Sequence, residues 1–220
     1  ELCIVDWAQA PELKFVLSPD HPDYPRDRAG LLRFGLEMQI LPWGTAPDAF
    51  DAGMEDQVRA FVAENVLARP PEGNALRHLI DDSREGWGKA VEMIEAMAFR
   101  GARERTLVLD FSAIRRAGSP IAGMQGRPAS GPVSLLRGLL NVRRHVIEAA
   151  RAGGMPLWEQ ALRVDHYLSV EVQVGGARRA ARMATKSWRD ADVLRFIRAK
   201  EDGGLWTPKH SVMVEAQFWR

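Results

Sequence analysis

The sequence predicts an α/β fold, and three observations carry that expectation. Several segments repeat apolar residues at helical spacing, as Met54, Val58, Phe61, Val62 and Val66 do. Between two such segments, Thr106-Leu107-Val108-Leu109-Asp110-Phe111 is a short apolar run, the pattern of a strand buried on both faces. Helical and strand patterns alternate along a chain of 220 residues, 46% hydrophobic and 27% charged, which is the balance of an ordinary globular domain.

Taken in order, residues 1–50 carry little regular pattern. Asp20-His21-Pro22-Asp23 and Pro25 read as breakers, and a short apolar stretch reaches Leu41-Pro42-Trp43-Gly44. We therefore expect an N-terminal segment over 1–50 and the main body over 51–220. The helix that begins near Met54 stops at Pro70-Pro71-Glu72-Gly73. Asp82 and Glu85 have the spacing of a capping box ahead of a helix bearing Trp87, Val91, Ile94 and Ala98, with Gly101 as its stop. Residues 112–130 read as one long loop. Ser130 is the expected cap of the next helix, with Pro132 in its first turn and Gly153-Gly154 at its end. Leu157, Ala161, Val164 and Leu168 mark another helix. Gly175-Gly176-Ala177-Arg178-Arg179 interrupts the chain before a strand ending near Thr185. Asp190 is placed to cap a short helix with Val193, Leu194 and Ile197. The alternation of Val212, Val214, Ala216 and Phe218 reads as a half-buried strand.

Composition excludes several function classes. Thirty basic against twenty-nine acidic side chains leave a net charge of +1, which offers no electrostatic attraction to nucleic acid or to an anionic membrane. Apolar runs are too short for a transmembrane helix, and the first residues lack a signal-peptide pattern. Cys3 is the only cysteine, so internal disulfides and multi-cysteine metal sites are excluded and a reducing, cytoplasmic setting is expected. The five histidines have no i,i+4 pairing, and we expect no metal site. Phosphate-binding GxxxxGK[ST], GxGxxG and GxSxG motifs are absent. Two glycine- and arginine-bearing loops remain, Ile114 to Pro120 and Gly175 to Arg179. Glycine lets a backbone approach a ligand closely and arginine presents a fork suited to phosphate; a solvated connection has the same composition.

Seven pieces in register resemble the first half of the catalytic barrel of adenosylcobalamin-dependent (class II) ribonucleotide reductases. They are Asp82-Ser83-Arg84-Glu85-Gly86-Trp87, Asp110 to Arg115, Gly118-Ser119-Pro120-Ile121, Gly126 to Pro132, Val174 to Ala181, Phe196 to Lys200, and Ser211 to Val214. The resemblance implies part of a ten-stranded α/β barrel, a ribonucleotide substrate, a deoxynucleotide (dNTP) effector and adenosylcobalamin as the source of a cysteine thiyl radical. It further implies that Asp82 meets the effector ribose and Arg115 the effector phosphates, on a loop shaped by Gly118. Gly175, Gly176, Arg178 and Arg179 would lie in a second loop between effector and substrate, with Ser130 near the substrate. Asp82 and Ser130 read equally as helix caps, and Arg178 and Arg179 as partners in surface ion pairs.

Three departures qualify that implication. His210 stands where the family has Asn, Ala122 where a second basic residue is frequent, and the 220 residues hold no Asn-x-Cys-x-Glu radical loop. Cys3 is a candidate reductant cysteine or a small buried hydrophobe. A second chain or a C-terminal half is expected to complete the barrel, and the 220 residues alone are not expected to complete the reaction. The rival reading is a noncatalytic deoxynucleotide-binding half-barrel, or one chain of a split reductase.

Overall fold

A computed structural model describes residues 5–171 and 182–219. The mixed α/β architecture is as expected. Its centre is a three-stranded parallel sheet of β1 (Glu12–Val16), β2 (Leu76–Leu79) and β3 (Thr106–Asp110), in the order β1-β3-β2. Glu12 to Val16 pair in register with Thr106 to Asp110, and Leu76 to Leu79 with Leu107 to Asp110. The apolar run is therefore the central strand, with Leu107, Val108 and Leu109 all buried.

Residues 5–50 are not without regular elements. They supply β1, whose Leu13, Phe15 and Val16 are core residues, and α1 (Arg28–Glu37), capped by Asp27 Oδ1 on the Gly30 amide at 2.7 Å. The prolines that read as breakers separate two well-formed elements. Helix α1 packs on α2 (Ala52–Asn65), and α3 (Arg84–Phe99) joins β2 to β3. Gly35 lets α1 sit close to its neighbours, because a Cβ there would lie 2.8 Å from a Val58 methyl.

Residues 112–130 are not a bare loop. They contain a small antiparallel pair, β4 (Pro120–Ile121) with β5 (Arg127–Pro128). The next helix is α4 (Pro132–Val142), continued by a π-helical turn over Arg143–Glu148 and by α5 (Ala149–Ala152). Its N-cap is Gly131, not Ser130, and no side chain caps it. Gly131 has φ +72° and ψ 179°, a conformation that a Cβ penalises, so glycine holds the position that polarity had suggested for Ser130.

Helix α6 (Leu157–Glu171) packs along α4. Where they touch, Gly138 leaves room for Glu171, whose carboxylate takes a bidentate ion pair from Arg137 at 2.6 and 2.7 Å. Arg137 also donates to the carbonyl of Glu37, so one guanidinium ties α1, α4 and α6 together. Burial pushes the Glu171 carboxyl above its ordinary range, with Arg137 pulling the other way.

The C-terminal part forms a second parallel pair, β6 (Arg182–Ser187) with β7 (Pro208–Met213), linked through α7 (Val193–Arg198). The short helix is preceded by Asp192 rather than capped by Asp190, and its buried residue is Phe196, with Leu194 and Ile197 outside. The final strand stops at Met213; Ala216–Trp219 is a 3₁₀ turn, because Trp188 donates to the Met213 carbonyl and Phe218 to that of Glu215.

Candidate functional site at the carboxyl end of the parallel sheet

In parallel α/β sheets the loops that leave the carboxyl ends of the strands are where ligands bind, since neighbouring loops converge there. Here three such segments meet. Ser18 to Pro25 follows β1, Asp81-Asp82-Ser83 follows β2, and Ser112 to Ser119 follows β3.

Asp82 and Arg115, 33 residues apart in sequence, form an ion pair with Nε to Oδ2 at 2.6 Å. Their side chains are 31% and 38% exposed, so the pair opens to solvent and is not part of the core. The bond uses Nε alone, and the terminal nitrogens of Arg115 meet no other acceptor among the described residues. Asp82 is not the helix cap. Ser83 is, with its Oγ accepting from the Gly86 amide at 2.9 Å. Asp82 is thereby freed for Arg115. Gly86 is required because a Cβ would lie 2.3 Å from the Asp81 carbonyl oxygen.

The loop bearing Arg115 is held from below. Ser112 Oγ accepts from the Ser18 amide at 2.8 Å, and Asp110 Oδ1 accepts from the Ser112 amide at 2.9 Å. Gly118, at φ +80°, donates to the Ala129 carbonyl, and Ala129 donates back to Ser119. Ser130 follows directly, exposed, at the base of the same loop. The structure thus brings together Asp82, Arg115, Gly118 and the segment containing Ser130. Gly175, Gly176, Arg178, Arg179 and Cys3 lie outside the described residues.

Sequence reading missed His21 and Asp23, which it treated as breakers. Both are buried beneath the Arg115 loop, and nothing in the local sequence pattern marks them. Asp23 also faces Glu37, whose carboxyl is raised by burial and then by the Asp23 charge.

The described residues assemble no metal centre. No group of three or more His, Cys, Asp or Glu among them is arranged to hold a metal ion. Of the imidazole nitrogens shut off from solvent, His78 Nε2 and His210 Nε2 have no hydrogen-bond partner. Among the described residues no helix is long and apolar enough to cross a membrane.

Comparison with known proteins places this architecture. Residues 48–146 match the family model of the insertion domain of B12-dependent ribonucleotide reductase. A protein of Mycobacterium phage D29, described as an adenosylcobalamin-dependent ribonucleoside-triphosphate reductase, is 36% identical over 151 residues, covering 64% of this chain and 22% of the relative. A crystal structure of a B12-dependent (class II) ribonucleotide reductase superposes with a TM-score of 0.62 at 24% identity, over 95% of this chain and 24% of that one. The chain spans about a quarter or less of the relatives it matches. The chain is accordingly similar to one portion of the B12-dependent, class II ribonucleotide reductases.

Proposed function

We propose that this chain is a portion of an adenosylcobalamin-dependent ribonucleoside-triphosphate reductase of the cytoplasm, and that its own task is to bind the deoxynucleotide effector. The whole enzyme would reduce a ribonucleotide to a deoxyribonucleotide by thiyl-radical chemistry. The triphosphate substrate follows the description of the phage relative. Cobalamin would supply the radical, and we assign its site to the remainder of the reductase, the described residues having no group of His, Cys, Asp or Glu gathered around an ion. With Cys3 as its sole cysteine, the 220-residue chain cannot supply both a thiyl radical and a reducing dithiol, so we expect no turnover from it alone.

The observation that carries the reading is the Asp82–Arg115 pair at the carboxyl end of the parallel sheet. Asp82 fixes the plane of the guanidinium through Nε, which leaves the terminal nitrogens to face phosphate oxygens. Charge-assisted bonds from a preset fork are the strong ones. The other Asp82 oxygen is then an acceptor for a ribose hydroxyl. Gly118 lets the backbone turn close by, and Ser130 at the loop base is our candidate for the substrate side. Gly175, Gly176, Arg178 and Arg179 remain the candidates for reading the base.

Isothermal titration with dNTPs tests this. Arg115→Ala should weaken binding by about 1.5–3 kcal/mol, the range for a hydrogen bond to a charged group, or roughly tenfold and more. Thermal stability without nucleotide should change little, because the pair is exposed. Equal affinities in the two proteins would remove Arg115 from the site.

A further inference from the structure

We propose that His21 and Asp23 are positioning residues for Arg115, clamping the peptide on both sides of Arg115-Arg116 so that the guanidinium is held over Asp82. The proposal rests on the effector reading above and adds to it two residues outside that site.

The clamp is built from the segment that follows β1 and acts on the loop that follows β3. His21 Nε2 lies 2.7 Å from the Ile114 carbonyl oxygen, the residue before Arg115. Asp23 Oδ2 accepts from the Ala117 amide at 2.7 Å, one residue past Arg116. The two dipeptide boundaries are therefore fixed, and only Arg115 and Arg116 project between them. His21 and Asp23 are 7% and 9% exposed, so neither bond competes with bulk water.

The imidazole has one consistent tautomer. Its Nδ1 accepts from the Asp23 amide at 3.0 Å, so the proton resides on Nε2, which donates to Ile114. His21 also presents its own carbonyl to Arg26 at 3.0 Å, which braces the turn from outside. On the opposite side Ala117 rests against Gly131, where a Cβ would come within 2.7 Å of the Ala117 nitrogen. Ala117 is thus gripped between Asp23 and the start of α4. A loop held so tightly next to an exposed arginine is preorganised, and preorganisation lowers the ordering cost of binding. Beneath it Leu109, Phe111 and Ile114 are buried and anchor the end of β3.

The test is a double-mutant cycle on the 220-residue chain, using the four dNTPs and inorganic triphosphate as titrants. Asp23→Ala should weaken binding about threefold to tenfold, as expected for losing one ordering hydrogen bond. Asp23→Asn keeps an acceptor oxygen for the Ala117 amide and should restore affinity to within about twofold. Combined with Arg115→Ala, Asp23→Ala should cost nothing further, because the clamp acts only through that arginine. Should Asp23→Ala fail to fold, Asp23→Ser replaces it, its hydroxyl being too short to reach Ala117. An additive loss in the double variant, or wild-type affinity in Asp23→Ala, overturns the clamp. Wild-type affinity in Arg115→Ala, or no triphosphate binding by the wild-type chain, overturns the effector reading and this proposal with it.

Discussion

The two parallel sheets of this chain obey different rules. In the three-stranded sheet the central strand is buried on both faces and the loops at its carboxyl end are stapled to one another by buried side chains. In the two-stranded pair β6–β7, alternate residues of β7 face solvent, Met183 and Met213 are exposed, and so are Leu194 and Ile197 on the linking helix α7. Beside its backbone ladder it is tied by ion pairs, the shielded Lys186 with Asp190 and Asp192 and the exposed Arg189 with Glu215. Exposed pairs of that kind contribute little, typically below about 1 kcal/mol. Apolar burial gives the first region a rigid platform on which polar groups can be aimed; the second lacks that platform among the described residues.

The comparison breaks most readily through the core. Phe15→Ala should cost about 3–5 kcal/mol in a denaturant titration, because Phe15 is fully buried and packs edge-on against Phe111. Leu194→Ala, on the exposed side of α7, should stay within about 0.5 kcal/mol of wild type. Similar losses at both positions would show that the β6–β7 region shares the core's burial.

A smaller effect should follow at the loop base. Gly131→Ala should destabilise by about 1–3 kcal/mol, since its backbone lies in a glycine-only region and the added carbon meets Ala117. The same change at Gly153, also at positive φ but with open space around it, separates backbone strain from the clash. If both variants lose equally, contact with Ala117 adds nothing.

The smallest effect concerns the tie between the two regions. His166 on α6 bonds Thr207 Oγ1 at 2.7 Å, just ahead of β7. Burial, then the Arg163 charge, holds its imidazole below the ordinary value of 6.5. The unfolded chain therefore binds more protons between those two values. Stability from this group is present above about pH 6.5 and is lost as pH falls toward the lowered folded value. His145 and His210, also lowered chiefly by burial, act in the same direction. Urea titrations between pH 7.5 and 5.5 should show stability falling with acid, and His166→Gln should flatten that slope. An unchanged slope would remove His166 from the account.

Legibility followed the physics of each element. Helical periodicity found α2, α3, α4 and α6, and the apolar run found β3, because burial of a continuous face leaves a periodic trace. β1 and α1 escaped because the Pro-rich turn between them dominated the local pattern, while the pairing partner of β1 lies far along the chain. Two caps were displaced by one position: at Ser83 a neighbouring polar side chain takes the amide, and at Gly131 backbone conformation decided the matter. Asp82 and Arg115 were singled out separately; that they pair was not legible, since 33 residues separate them. His21 and Asp23 left no trace, because a buried side-chain bond to a distant backbone atom has no sequence period.

The central claim is that nucleotide binds where the three β-strand ends converge. Hydrogen exchange of the wild-type chain with and without dNTP tests it most directly. Binding should protect amides over 17–25, 80–86 and 112–119 and leave 182–213 unchanged. Protection confined to 182–213, or none at the three convergent segments under saturating dNTP, would contradict it.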